Sequence, residues 1–299
     1  MNLFESYLAF FRYPNLKDSR LHIVLWYDWF AVVGILIVSR GLPPLMNTFK
    51  TIIMVPFLTM YVYLLNDIMD AKMDRGSNAK STRPIPSGLV SKKEALILCF
   101  INGFIGILIA LTIKIQVAIV AAFFLLLGTV YSTPPIRLKT RFLMKETITI
   151  AGLFTLVSLG SLITGTPPIS IVYFMSFFSI FILTLWSTFY DALDEEEDRR
   201  FGCKTVAILL KQSQRLELSA IGLTIMMLVT PFTYSRFGFN MILPIVIGVS
   251  CILFLRFIFP LLLKPDTVDD EKIMRGGTLI RVFLLTMQIG FILGSLNIL

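Results

Sequence analysis

Nine apolar stretches, each near the roughly 20 residues a helix needs to cross a bilayer, constrain this chain more than any other feature. They run over 21–39, 48–69, 94–113, 115–131, 145–165, 168–190, 217–235, 240–261 and 278–297. Backbone polar groups cannot stay bare in hydrocarbon, so such stretches are expected to fold as helices. Lys114 and Gln116 mark a tight hairpin between the third and fourth. Pro43-Pro44, Pro134-Pro135 and Pro167-Pro168 fall between spans, where a helix can stop. Only 15% of the 299 residues are charged, against about 25% in a soluble domain. The expectation is an all-α, polytopic membrane protein with about nine transmembrane helices, forming one domain over 1–299. No cleavable leader is expected, because Glu5 stands early and no small-residue cleavage site follows an apolar core.

The cations sort by side. With the N-terminus set on one face, that face gathers all of the 27 Lys and Arg except Arg40, Lys50, Lys114 and Arg236. This asymmetry orients the N-terminus and the long loops toward the cytoplasm. It also accounts for the net charge of +8 through topology and attraction to membrane lipids, with no nucleic-acid partner. Three cysteines cannot build a disulfide framework. The one histidine, His22, excludes a His-rich zinc site and reads as interfacial.

Two acidic clusters share one spacing. The second span ends in Asn66-Asp67-Ile68-Met69-Asp70-Ala71-Lys72-Met73-Asp74, and the sixth in Asp191-Ala192-Leu193-Asp194-Glu195-Glu196-Glu197-Asp198. Both carry D-x-x-D-x-x-x-D, both on the cytoplasmic side, as if one element were used twice. On an α-helix Asn66, Asp67, Asp70 and Asp74 share one arc, and so do Asp191, Asp194, Glu195 and Asp198. Glu196 and Glu197 point away, toward solvent. Acid at a helix C-terminus opposes the macrodipole and repels its own kind, so a cation is expected to compensate. Oxygen ligands without His or Cys suit Mg²⁺, held through carboxylates and substrate phosphates. The plain alternative is a pair of solvated helix ends.

Loops beside the clusters supply cations. Arg83 and Lys80 stand next to Pro84 and Pro86, which fix the loop after the first cluster. Arg137 and Lys139 follow Tyr131-Ser132-Thr133-Pro134-Pro135. Such groups can grip a diphosphate while a metal neutralises its other oxygens. Lys72 and Arg75 are expected to snorkel to the lipid surface. Asp28 lies inside the first span, where an ionisable group is a functional candidate by default. It either serves a hydrophobic acceptor as base or orienter, or belongs to an interfacial aromatic belt.

With these motifs in order, the sequence resembles the UbiA superfamily of intramembrane prenyltransferases. The resemblance rests on RxPN at Arg12–Asn15, NDxxDxxxD at Asn66–Asp74, RPIPSG at Arg83–Gly88, YSTPPIRLK at Tyr131–Lys139, and DxxDxxxDxxxGxxT from Asp191 to Thr205. It implies a helical bundle around a central cavity whose mouth both Asp motifs cap, and Mg²⁺-dependent use of a prenyl diphosphate. It assigns metal binding to Asn66, Asp70, Asp74, Asp191, Asp194 and Asp198, to which the helical arc adds Asp67. Lys80, Arg83, Tyr131, Ser132, Arg137 and Lys139 fall in the diphosphate and substrate loops, with Asn15 from the N-terminal motif. Asp70, Asp191, Arg83 and Asp28 are the catalytic candidates. Glu197 departs from the Gly common before the last Asp. The Asp74–Arg83 loop is longer than in the archaeal-lipid branch and nearer the quinone-precursor branch. The implied activity is prenyl transfer to an aromatic or lipid-hydroxyl acceptor. Cyclisation of the prenyl diphosphate on the same scaffold is the alternative. A transporter is disfavoured, since its acids belong near the bilayer midplane.

Overall fold

The apolar stretches fold as helices, and their ends fall where charge and proline leave the hydrocarbon pattern. A computed structural model describes residues 2–11, 20–77, 80–200, 202–265 and 268–296, the side chains of Asp194, Glu197 and Arg200 excepted. After a short α1 (Leu3–Ala9) come α2 (Arg20–Ser39), α3 (Leu45–Asp74), α4 (Lys92–Ile113), α5 (Ile115–Ser132), α6 (Met144–Thr164) and α7 (Ile169–Phe181). Short α8 (Ser187–Phe189), α9 (Glu195–Arg200) and α10 (Val206–Leu209) precede α11 (Gln212–Thr233), α12 (Ile242–Leu263) and α13 (Asp270–Ser295). Among the described residues nine helical segments are long and apolar enough to cross a membrane. The expected all-α, polytopic class holds.

Two compact units make up the chain. The first comprises residues 1–35, 43–138 and 151–166, and the second residues 36–42, 139–150 and 167–299. In the first, Met54, Val55 and Leu58 of α3 pack with Ala110, Ala118, Ala121 and Phe124 of α4 and α5. Small residues let backbones approach, as is usual between helices in lipid. A Cβ on Gly34 of α2 would stand 2.1 Å from the Val157 carbonyl oxygen of α6. Only glycine fits there. Lys114, extended between α4 and α5, donates to the Leu162 carbonyl at 2.9 Å. The second unit is aromatic: Phe174, Phe178, Phe181, Phe189 and Phe291 are all buried, and Tyr173 stacks on Phe237 at 4.3 Å.

Three helix ends reach five or more residues beyond the sequence expectation, one of them the start of α11 at Gln212. α3 runs on to Asp74, 30 residues in all, so the whole first motif is helical. α13 starts at Asp270 because Asp269 caps it, accepting from the Lys272 amide at 2.9 Å.

Candidate functional site

The C-terminal turns of α3 carry the first acidic motif, one turn of helix separating Asn66, Asp70 and Asp74. Asp67, Asp70 and Asp74 are all buried, and buried carboxylates need partners. Each finds a cation on a different segment. Arg20, at the start of α2, donates from Nε and Nη2 to both oxygens of Asp67. Arg137 Nη2 donates to Asp70 Oδ1 at 2.8 Å, and Arg83 Nη1 to Asp74 Oδ2 at 2.9 Å. Arg83 also stands 3.9 Å from Asp67 Oδ1. Asn66 Oδ1 accepts from Ser132 Oγ at 3.1 Å. Seven residues singled out from the sequence, Asn66, Asp67, Asp70, Asp74, Arg83, Ser132 and Arg137, thus converge.

Local structure explains how the loops reach α3. The Arg83–Val90 turn is closed by Ser87 N–H to Arg83 O and Val90 N–H to Pro84 O, and Ile85 and Val90 bury beneath it. Arg75, expected to snorkel, instead donates to the Pro86 carbonyl at 3.1 Å. The bond holds the loop against the helix. Arg137 has φ +36°, a left-handed conformation that costs a non-glycine residue roughly 1 kcal/mol or more. Its side chain meets Asp70.

The second motif has the same spacing on a different backbone. A π-helical turn, Ile182–Trp186, precedes α8, and Asp191–Asp194 form a 3-10 turn before α9. The motif is therefore not one continuous α-helix as expected, because the tighter 3-10 turn over Asp191–Asp194 changes the rotation per residue. Hydroxyls take up the freed carbonyls: Ser187 Oγ donates to Ile182 O at 3.1 Å and Thr188 Oγ1 to Thr184 O at 2.7 Å. Asp191 and Asp198 still share one cation, Lys145 of α6, whose Nζ is 2.9 Å from Asp191 Oδ1 and 3.6 Å from Asp198 Oδ2. Glu195 pairs with Arg215 at 3.3 Å and with Arg199 at 3.0 Å.

Lys145 does not fill this half. Asp191 Oδ2, both oxygens of Glu146 and the Thr205 hydroxyl are buried with no hydrogen-bond partner, and so are Nε and Nη1 of Arg215. Each such group costs about 1–3 kcal/mol when left without one. Acceptors and cationic donors side by side suit a hydrated cation bound together with an anion. Among the described residues no three His, Cys, Asp or Glu side chains converge to cage an ion.

Tyr131 lies in the last turn of α5 and Lys139 in a 3-10 turn over Leu138–Thr140. Lys80 opens the turn to Arg83, its carbonyl accepting from the Arg83 amide. Asp194 sits in the second motif's 3-10 turn, its side chain outside the described residues, as Asn15 is altogether. Asp28 lies in α2 with Oδ1 buried and without a partner. Next to it, Tyr27 accepts from the Tyr63 hydroxyl at 3.3 Å, and Arg20 covers the Tyr63 ring at 5.3 Å.

Sequence reasoning missed Arg20, Lys145, Glu146 and Arg215. Arg20, Lys145 and Arg215 read as ordinary cytoplasmic-side charge at span ends. Glu146 offered one signal, an acid entering an apolar run.

Comparison with known proteins follows the same lines. The model of the UbiA prenyltransferase family matches residues 28–287. Digeranylgeranylglyceryl phosphate synthase of Saccharolobus solfataricus is 25% identical over 293 residues, covering 93% of this chain and 95% of its own. The 4-hydroxybenzoate octaprenyltransferase of Vibrio atlanticus is 27% identical over 216 residues, covering 70% and 73%. The structure of a UbiA homolog from Archaeoglobus fulgidus, bound to DMAPP and Mg²⁺, superposes with a TM-score of 0.68 at 16% identity, covering 96% of this chain and 99% of its own. At that identity the likeness concerns the fold.

Proposed function

The chain belongs to the UbiA prenyltransferase family, and on that premise we propose that it transfers an isoprenyl group from a prenyl diphosphate to a hydrophobic acceptor, with Mg²⁺. The observation that carries this reading is the pairing of Asp70 and Asp74 with Arg137 and Arg83. It sets diphosphate-binding cations among buried acids. The named relatives are a digeranylgeranylglyceryl phosphate synthase and a 4-hydroxybenzoate octaprenyltransferase. The spacing of the Asp74–Arg83 loop favours the aromatic, quinone-precursor type of acceptor. The whole chain acts as one catalytic domain, with its N-terminus and both acidic motifs on the cytoplasmic side, as the Lys and Arg asymmetry supports.

Asp70, Asp74 and Asn66 on α3 would hold metal, and so would Asp191, Asp194 and Asp198 in the second motif. When bound, Mg²⁺ supplies positive charge to the diphosphate oxygens. Arg83, Arg137, Lys80 and Lys139, with Tyr131, Ser132 and Asn15, are the residues proposed to bind diphosphate. The bond from the prenyl C1 to oxygen breaks and its electron pair leaves with pyrophosphate. The acceptor's nucleophilic atom bonds to the allylic carbon and loses its proton. Asp67, held on both oxygens by Arg20, positions Arg20 more than it binds metal.

Charge builds on the departing diphosphate, so a cation that grips it stabilises the transition state above the ground state. Arg83→Ala lowers kcat about tenfold or more, on the order of 1.4 kcal/mol, in a coupled pyrophosphate-release assay. A rise in KM with kcat unchanged would make Arg83 a binding residue only.

Asp28 serves the acceptor. Asp28→Asn slows formation of prenylated product while slow, acceptor-independent pyrophosphate release continues, both followed in one assay. Equal loss of the two signals would place Asp28 in the ionising machinery, and no loss would return it to the aromatic belt.

A further inference from the structure

We propose that Glu146 is a positioning residue of the second motif, accepting hydrogen bonds from water around the Mg²⁺–diphosphate that Asp191 and Asp198 receive. This inference rests on the functional reading above and adds a residue from outside both aspartate motifs. Glu146 lies in the first turn of α6 and is 2% exposed. A helix N-terminus tolerates an acid there, since the macrodipole favours it by about 0.3–1 kcal/mol. The dipole does not explain why both oxygens lack a donor. The amides of Glu146 and Val206 face the carboxylate, yet neither completes a hydrogen bond.

The same unit leaves Asp191 Oδ2 and Thr205 Oγ1 buried and without partners. Thr205 holds the N-cap position of α10, but its hydroxyl makes no cap bond. Asp191 and Lys145 are among the charges that act on Glu146. Lys145 spends its ammonium on Asp191 and Asp198. What these oxygens lack is a source of several donors that also carries positive charge. Hydrated Mg²⁺ is such a source, because it keeps several of its waters on binding. Asp191 can take the metal while Glu146 takes the water hydrogens. Partners of this outer kind typically change metal affinity 10–100-fold when removed.

The test measures binding of inorganic pyrophosphate to the purified full chain in detergent, by calorimetry across a Mg²⁺ titration. Glu146→Gln keeps shape and removes charge. The Mg²⁺ concentration for half-maximal pyrophosphate binding rises about tenfold or more, while thermal stability without Mg²⁺ does not fall. Glu146→Asp, which restores the charge, recovers part of the Mg²⁺ response. A merely structural Glu146 would lower stability and leave the Mg²⁺ dependence of the folded fraction at the wild-type value, which overturns the proposal. Difference infrared spectra of wild type labelled with ¹³C-glutamate decide independently of how the variants fold. A glutamate carboxylate band shifts when Mg²⁺ and pyrophosphate bind, and its constancy would also overturn the proposal. Wild type that binds no pyrophosphate in Mg²⁺ would instead remove the functional reading, and this inference with it.

Discussion

Asp70→Ala and Asp191→Ala each reduce prenyl transfer by about a hundredfold or more, the scale of losing one preorganised electrostatic contact to a transition state. Both variants stay folded. Asp70 leaves behind Arg137 and Asp191 leaves behind Lys145, and each cation side chain is 23% exposed. Water can therefore reach the cation once its carboxylate has gone, so the penalty of an unpaired charge is small. Circular dichroism and gel filtration in detergent establish the fold, and pyrophosphate release with Mg²⁺ measures the rate. Near-normal turnover in either folded variant would take that residue out of the metal set.

Breaking the ion pair between Arg20 and Asp67 gives the largest loss of stability. These side chains are 8% and 2% exposed, and removing one partner of such a buried pair costs about 3–5 kcal/mol. Arg20→Ala sits at the lower end, because Arg83 remains 3.9 Å from Asp67. Replacing both, as Arg20→Met with Asp67→Leu, removes the stranded charge and recovers most of the loss. Denaturant titration of the four proteins in micelles closes the cycle. A single Arg20 variant as stable as wild type would show that the pair is solvated and not structural.

The contrast between these variants shows what could be read from sequence. Spans were legible because the bilayer fixes a length, and composition reports it. The acids were legible because Asn66–Asp74 and Asp191–Asp198 repeat one spacing at span ends. Their partners were less so. Arg83 and Arg137 stood out beside prolines, but Arg20 and Lys145 carry the charge that any cytoplasmic-side span end carries. Only tertiary contact separates them from decoration. Matched spacing also suggested matched structure, and the π turn at Ile182–Trp186 breaks that inference. Ser187 and Thr188 bond carbonyls of their own segment there, and Ser219 adds a bond to the Thr184 carbonyl that exists only once α11 has packed.

Product analysis tests the central claim most directly. The purified chain is incubated with a panel of prenyl diphosphates, with and without Mg²⁺, and with an aromatic acid, a lipid alcohol or no acceptor. Mass spectrometry then follows every prenylated species. Transfer to an acceptor that requires Mg²⁺, and fails in Asp70→Ala and Asp191→Ala, is the predicted result. A cyclised hydrocarbon formed without acceptor would make the chain a cyclase, and intact diphosphate under every condition would contradict prenyl transfer altogether.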